Sequence, residues 1–439
     1  MDGEGTGPGT AGAGRPERLP DRPLGGAPGG LPGRWFAGAE GRATLALVAL
    51  RVLYAYNWTD IGPALPALSR QMGIAEADWG LLLAAFFVGA GMLQIPAGLL
   101  ARRYGNFEIA LLGAAILGVA AIACAFAPNF PSLLLLRGVC GAGAGLFFSP
   151  AIAVVAGLHP EGRRGVPVGL FSSAYSAGAG LGVFVTALLI GPLGWGPALA
   201  VGGFGTLLLV PIVLTLVPRP SVRIGPRPAR RPPWREIPAV LRSRAVWVIG
   251  VAFIGIEGAS LAAGQFFVPY AEVVRGWSAP IAGSVGALFV FPSLFGGPVG
   301  GWIAERFTNR RSWLAVLTAG PSLLLVLVPW LPLAAVAVAA TIFATAVGMI
   351  YAIMYVLPAY LPGIHDADLP LAIGLFNGIQ LAGGAAVAGI VGWVVATYGY
   401  DWAWAALGGG AVLTLLALPL LPATGPRTTQ GTAAARPAG

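Results

Sequence analysis

The stretch GLLARRYGN, Gly98 to Asn106, returns as GWIAERFTN, Gly301 to Asn309. Each copy follows a long apolar run. The glycine, the small residue and the arginine keep their spacing, while the fifth position changes from Arg102 to Glu305. A charged turn that occurs twice, each time behind an apolar run, is what a duplicated membrane bundle would carry.

Composition agrees with that reading. The chain has 439 residues, 56% of them hydrophobic and 10% charged, more apolar surface than a soluble chain of this size could hide. The formal charge of +9 raises the question of nucleic acid, but every positive side chain is arginine and these gather in short gaps between apolar runs. That is the topology signal of a membrane protein rather than a nucleic-acid stripe. Cys124 and Cys140 fall inside apolar runs, where cysteine behaves as a small hydrophobe.

Twelve apolar runs are near the length of a membrane-crossing helix, about 20 residues. They are spans 1 to 12: 43–67, 78–101, 107–127, 132–158, 166–190, 196–217, 245–271, 279–303, 311–329, 333–360, 370–397 and 401–422. Residues 1–41 and 423–439 are expected to be disordered tails. The halves 42–217 and 245–422 are separated by a basic loop, 218–244, that carries eight arginines. Counting arginines in alternate gaps puts both tails and this loop on the cytoplasmic side of a multi-pass cell membrane protein.

The halves repeat one another. Adding 203 maps Pro66 on Pro269, Gly73 on Gly276, Gly80 on Gly283 and Arg103 on Arg306; adding 205 maps Gly143 on Gly348 and Gly178 on Gly383. Six plus six helices, a long basic central loop and a charged turn between the second and third helix of each half resemble the major facilitator superfamily. That family's turn reads approximately GxLaDRxGRR. Gly98, Ala101, Arg103 and Gly105 match it in the first copy, where Arg102 replaces the acid. In the second copy Gly301, Ala304, Glu305, Arg306, Arg310 and Arg311 match. The family's RxxxGxG of helix 4 is met by Arg137, Gly141 and Gly143. Its antiporter ladder ending in GPxxGG fails, since Val183, Thr186 and Ala187 stand at the signature positions after Gly182. The resemblance implies an all-α membrane fold of twelve helices in two pseudo-symmetric halves, and a transporter.

An ionisable residue inside a bilayer is costly and needs a reason to be there. Four qualify: Arg51, Asp60, Arg137 and Glu257. Asp60 on span 1 and Arg137 on span 4 come to similar depths at 1.5 Å per residue, so an ion pair is expected. Either it responds to protons and substrate, or it is a fixed bridge that sets helix packing. On a helical wheel Tyr56, Asn57 and Asp60 share the face that the family turns to its cavity, and Arg51 points almost opposite, toward a neighbouring helix or the cytoplasm, with a role at the substrate as the alternative. Glu257, midway along span 7, is either a titrating carboxylate or a partner for Arg51. Softer candidates are Gln94, Ser172, Ser173, Ser176, Gln265, Asn377 and Gln380, with Tyr351 and Tyr355 four residues apart on span 10.

The alternatives to transport chemistry find little support. GAGAG at Gly141 to Gly145 lies inside an apolar span with no lysine, so it is no phosphate loop. His159 and His365 lack the spacing of metal ligands. No nucleophile and base pair or cofactor fingerprint occurs, so an enzyme, a metal and a cofactor are not expected. The reading is a monomeric secondary transporter that moves a small organic solute, such as an organic anion, by alternating access, coupled to protons through Asp60, Glu257 and Arg137. The failed GPxxGG favours symport or uniport. A drug–proton antiporter is the alternative within transport, and a membrane sensor with the same fold is the alternative outside it.

The resemblance also assigns the repeated turns to a cytoplasmic gate. The approach to span 11 reads HDADLP and offers Asp366 and Asp368 to Arg102 and Arg103; the approach to span 5 reads EGRRGVP and offers Arg163 and Arg164 to Glu305, beside Arg306. Each turn would then meet the opposite sign, a swapped latch.

Overall fold

A computed structural model describes Gly3 and residues 38–160, 165–218, 241–307, 309–357 and 369–421. The two tails lie outside the described residues except for Gly3 and residues 38–41, as does residues 219–240 of the central loop. Among the described residues there is no strand. The first half runs Ala39–Thr59, Ile61–Met72, Trp79–Tyr104, Asn106–Cys124, Phe130–Gly157, Gly165–Leu193 and Trp195–Leu216. The second runs Arg244–Ala252, Ile254–Val273, Ala279–Ala287, Ser293–Arg306, Arg310–Leu327, Leu333–Val356, Leu369–Tyr398 and Tyr400–Ala417.

Among the described residues ten helical stretches are long and apolar enough to cross a membrane. The other two of the twelve expected spans, 1 and 8, are each broken into two helices, and span 7 is also broken, at Phe253. Proline explains the breaks in spans 1 and 8, because it has no N–H to give the carbonyl four residues earlier. Pro63 leaves the Thr59 carbonyl without that donor at the Asp60 break, and Pro292 does the same to Leu288 ahead of Ser293–Arg306. Outward-facing side chains such as Met92, Phe126, Leu208 and Trp330 are 67–78% exposed. An outer wall of that kind suits lipid and would be a liability in water.

The duplication is visible in the backbone. Gly73 and Gly276, 203 residues apart, end spans 1 and 7 at φ of 65° and 66°. Gly194 and Gly399, 205 residues apart, precede spans 6 and 12 at φ of 78° and 87°. Only glycine reaches this left-handed region without a side-chain penalty, so the same turns recur at the same places in both halves.

The halves close on each other near these glycines. A Cβ added to Gly62 on span 1 would lie 2.7 Å from the Gln265 carbonyl oxygen on span 7, and residues 62 and 265 are themselves repeat partners. A Cβ on Gly80 of span 2 would lie 2.5 Å from the Ala388 carbonyl oxygen of span 11. The repeat partner of Gly80, Gly283 on span 8, would carry a Cβ 2.3 Å from that of Ala187 on span 5. Small residues let helix backbones touch where lipid supplies no hydrophobic drive. The seam therefore rests on glycine at symmetry-related positions.

Candidate functional site

The buried charges fall into two groups. The first is inside the first half. Arg137 Nη1 donates to Asp60 Oδ1 at 3.0 Å and to the Asn57 carbonyl oxygen at 3.3 Å. The Phe86 ring lies 4.8 Å from Arg137 Cζ. Tyr56 does not face the centre of the molecule; its hydroxyl bonds Thr186 on span 5 at 2.9 Å. Asn57 Nδ2 donates to the Leu53 carbonyl at 2.7 Å and to Thr206 Oγ1 on span 6 at 3.3 Å.

This corrects the helical-wheel reading. Tyr56, Asn57 and Asp60 do share polar surroundings, but the shared face is turned into the first half's own core. Gly202 on span 6 is the reason, since a Cβ there would lie 2.5 Å from Tyr56 Cδ1. The missing side chain makes the slot into which the tyrosine packs. Cys124 and Cys140 are packed in the same half, Sγ to Sγ 4.0 Å, both buried.

The second group lies where the halves face one another. Arg51 faces neighbouring helices, spans 4 and 5, one of the placements the wheel left open. Its guanidinium carbon is 4.3 Å from the Tyr54 ring centre, 4.4 Å from Phe148, 5.2 Å from Tyr175 and 5.6 Å from Phe171. Arg51 is 6% exposed, and its Nε and Nη1 have no hydrogen-bond partner. Among the described residues it pairs with no carboxylate, so the expectation that Glu257 is its partner is also corrected. Glu257 Oε2 instead accepts from the Tyr351 hydroxyl at 2.6 Å and from Gln380 Nε2. Those donors come from spans 10 and 11, so one carboxylate oxygen ties three spans of the second half together.

The two sides are in electrostatic reach of one another. Tyr175 of the first half and Tyr355 of the second each lie close enough to both Arg51 and Glu257 for a Coulomb interaction. The result is a tyrosine-rich centre with a cation on one wall and a carboxylate on the other. Tyr355, 38% exposed, donates to Asn377 Oδ1 at 3.0 Å.

The remaining candidates are spread out. Gln265 belongs to the seam, where Nε2 donates to the Trp58 carbonyl at 3.2 Å. Ser176 Oγ meets Ser293 Oγ of span 8 at 2.7 Å, a second link between halves, while Gln94 Oε1 accepts from Ser149 at 3.3 Å. Ser172 is exposed and Ser173 half-buried. Of the gate, Arg163, Arg164, Asp366 and Asp368 lie outside the described residues, as do the side chains of Arg102 and Glu305. Arg103 lies 5.2 Å from the Tyr104 ring and Arg306 5.9 Å from Trp302. Sequence reasoning missed Phe148, Phe171 and Tyr175. The one local signal was Tyr54, one helical turn after Arg51.

The profile of the Major Facilitator Superfamily matches residues 47–367. The chain belongs to the major facilitator superfamily. Its relatives in this superfamily are transporters, so the chain is not an enzyme. It is 29% identical over 198 residues to the gallate transporter of Pseudomonas putida, 45% of this chain and 43% of that one. It is 27% identical to NarK2 of Mycobacterium tuberculosis, described as a "probable nitrate/nitrite transporter", over 63% of this chain and 69% of that one. A "probable sulfoacetate transporter", SauU of Cupriavidus necator, is 26% identical over 88% of this chain and 96% of its own length. The chain therefore spans less than half of the gallate transporter but nearly all of SauU. In fold it is similar to a bacterial homologue of the human lysosomal transporter Spinster, with a TM-score of 0.68, 19% identity, and 87% of this chain and 94% of that one covered. This major facilitator chain is a multi-pass membrane protein.

Proposed function

We propose that this chain is a secondary active transporter that moves a small organic anion by alternating access, with Glu257 carrying the coupled proton. The observation that carries the reading is the pair of buried, mutually unpaired charges at the centre, Arg51 on the first half and Glu257 on the second. A cation without a carboxylate can accept an anionic solute, and a carboxylate held only by neutral donors can take up a proton without breaking an ion pair. Relatives named for gallate, nitrate and sulfoacetate all carry anions, which supports the anionic class.

Asp60 and Arg137 then have a different task from the one first expected. They bind spans 1 and 4 of the first half into one body, so that it rocks as a unit against the second half. Of symport and uniport, the proton carried by Glu257 favours symport, with both termini cytoplasmic as the arginine distribution implies. At the cytoplasmic ends, Arg102 and Arg103 with Asp366 and Asp368, and Glu305 and Arg306 with Arg163 and Arg164, form the swapped latch.

The test is uptake into proteoliposomes under an imposed pH gradient, with a panel of organic anions, amino acids, sugars and lipophilic cations. Gradient-driven accumulation of an anion that is lost in Glu257→Gln supports the reading. Accumulation that survives Glu257→Gln removes Glu257 from coupling, and accumulation restricted to cations removes the anion.

A further inference from the structure

We propose that the aromatic box around Arg51 is a subsite for a planar aromatic carboxylate, bound by its carboxylate to the guanidinium and by its ring to the surrounding rings. This rests on the anion-transport reading and narrows it from organic anions to one chemical class.

Arg51 is an unusual buried cation. Its four neighbours are rings from span 1 (Tyr54), span 4 (Phe148) and span 5 (Phe171 and Tyr175), and the acceptors they carry are two tyrosine hydroxyls. Rings attract a guanidinium but leave its N–H groups unanswered. Two of those groups, on Nε and Nη1, are buried with no partner. A buried donor left unmade is a standing cost that a bound acceptor would remove. Guanidinium and carboxylate are both planar and match edge to edge, so a carboxylate meets the open donors best.

The rings do not stop at Arg51: Tyr54 continues to Phe147 at 5.1 Å and to Trp58 at 5.7 Å, and Trp58 meets Tyr175 edge-on at 5.8 Å and 82°. On the facing half Tyr355 packs on Phe376 at 5.5 Å. A ligand ring held against these side chains can take tilted or edge contacts of the same kind. A saturated ring of equal size and charge gains no such contact. The preference should therefore read π character and not size.

The experiment uses the full chain purified into lipid nanodiscs, with dissociation constants for benzoate, cyclohexanecarboxylate and acetate measured by calorimetry, beside uptake of the same anions in proteoliposomes. Benzoate is expected to bind at least tenfold more tightly than cyclohexanecarboxylate. Arg51→Gln should weaken benzoate by a hundredfold or more, and Arg51→Lys, which keeps the charge but not the planar fork, by about tenfold. Phe148→Leu with Phe171→Leu should bring benzoate down to the level of cyclohexanecarboxylate while both still bind. Equal affinity of the wild-type protein for the two rings, a comparison that needs no variant to fold, overturns the proposal. So does a benzoate constant unchanged in Arg51→Gln. In either case, gradient-driven uptake of some other anion leaves the transport reading standing; if no anion is accumulated at all, the transport reading falls and this inference with it.

Discussion

Asp60 and Arg137 form an ion pair at 3.0 Å with side chains 1% and 2% exposed, across two helices separated by 77 residues of chain. Removing one partner strands the other charge out of water, a loss of about 3–5 kcal/mol. Asp60→Asn and Arg137→Gln are each expected to lower the thermal unfolding temperature in detergent sharply. Removing both charges together, as Asp60→Leu with Arg137→Met, should recover most of the loss, because a packed apolar pair can replace a buried bridge. Single variants that melt with the parent would show that the pair does not hold the first half together.

Glu257 should behave differently, since its partners are neutral. Glu257→Gln keeps the shape of the side chain and is expected to abolish accumulation driven by a pH gradient while leaving exchange of solute for solute. Tyr351→Phe and Gln380→Leu each take one donor from Oε2. At about 1.5–3 kcal/mol for a hydrogen bond to a charged acceptor, each is expected to cut gradient-driven uptake roughly tenfold. Initial rates at fixed gradient would decide the matter, and rates equal to the parent's would argue against a coupling role for these donors.

The seam offers a conformational test. Gly62→Leu puts a side chain where a Cβ already lies 2.7 Å from the Gln265 carbonyl oxygen, so spans 1 and 7 must separate. Gly98→Leu is the control, since nothing lies within 4 Å of a Cβ there. Spin labels at Arg70 and Val274, both exposed, should report a longer mean distance in Gly62→Leu and none in the control. An unchanged distance in Gly62→Leu would mean that the seam yields elsewhere.

Gly73 and Gly276 allow the duplication to be tested energetically. Both have φ near 65° and free space around the missing Cβ, so alanine costs only the backbone term, about 1–2 kcal/mol. Gly73→Ala and Gly276→Ala are expected to destabilise by equal amounts. Unequal shifts in unfolding temperature would show that the two turns are not equivalent in strain.

The latch is tested by charge exchange. Arg102→Asp is expected to shift the populations of inward- and outward-open states, at about 0–1 kcal/mol for each exposed pair. Changing Asp366 and Asp368 to arginine in the same chain should restore them. No recovery refutes the swap.

Much of this was legible in the residues. The apolar runs, the repeat offsets and the four buried charges needed no coordinates, because length, period and the cost of charge in lipid act locally. The depth argument that joined Asp60 to Arg137 also worked from the chain alone. It needed only the helical rise and the direction of two spans. The wheel set Arg51 on the opposite side correctly but misplaced Tyr56 and Asn57, because it groups residues by angle and cannot know which neighbour each angle meets.

What the sequence determined by itself is the architecture: a duplicated bundle of membrane helices, turned by glycines at matching positions and carrying few charges inside. What tertiary structure decided is the division of labour among those charges. Gly202 opens a slot for Tyr56 and turns one face of span 1 into its own half. Arg51 is left among the rings of spans 1, 4 and 5, and Glu257 meets Tyr351 and Gln380 of its own half. Such contacts depend on which helices become neighbours at which depth, a long-range outcome of packing that no single span encodes.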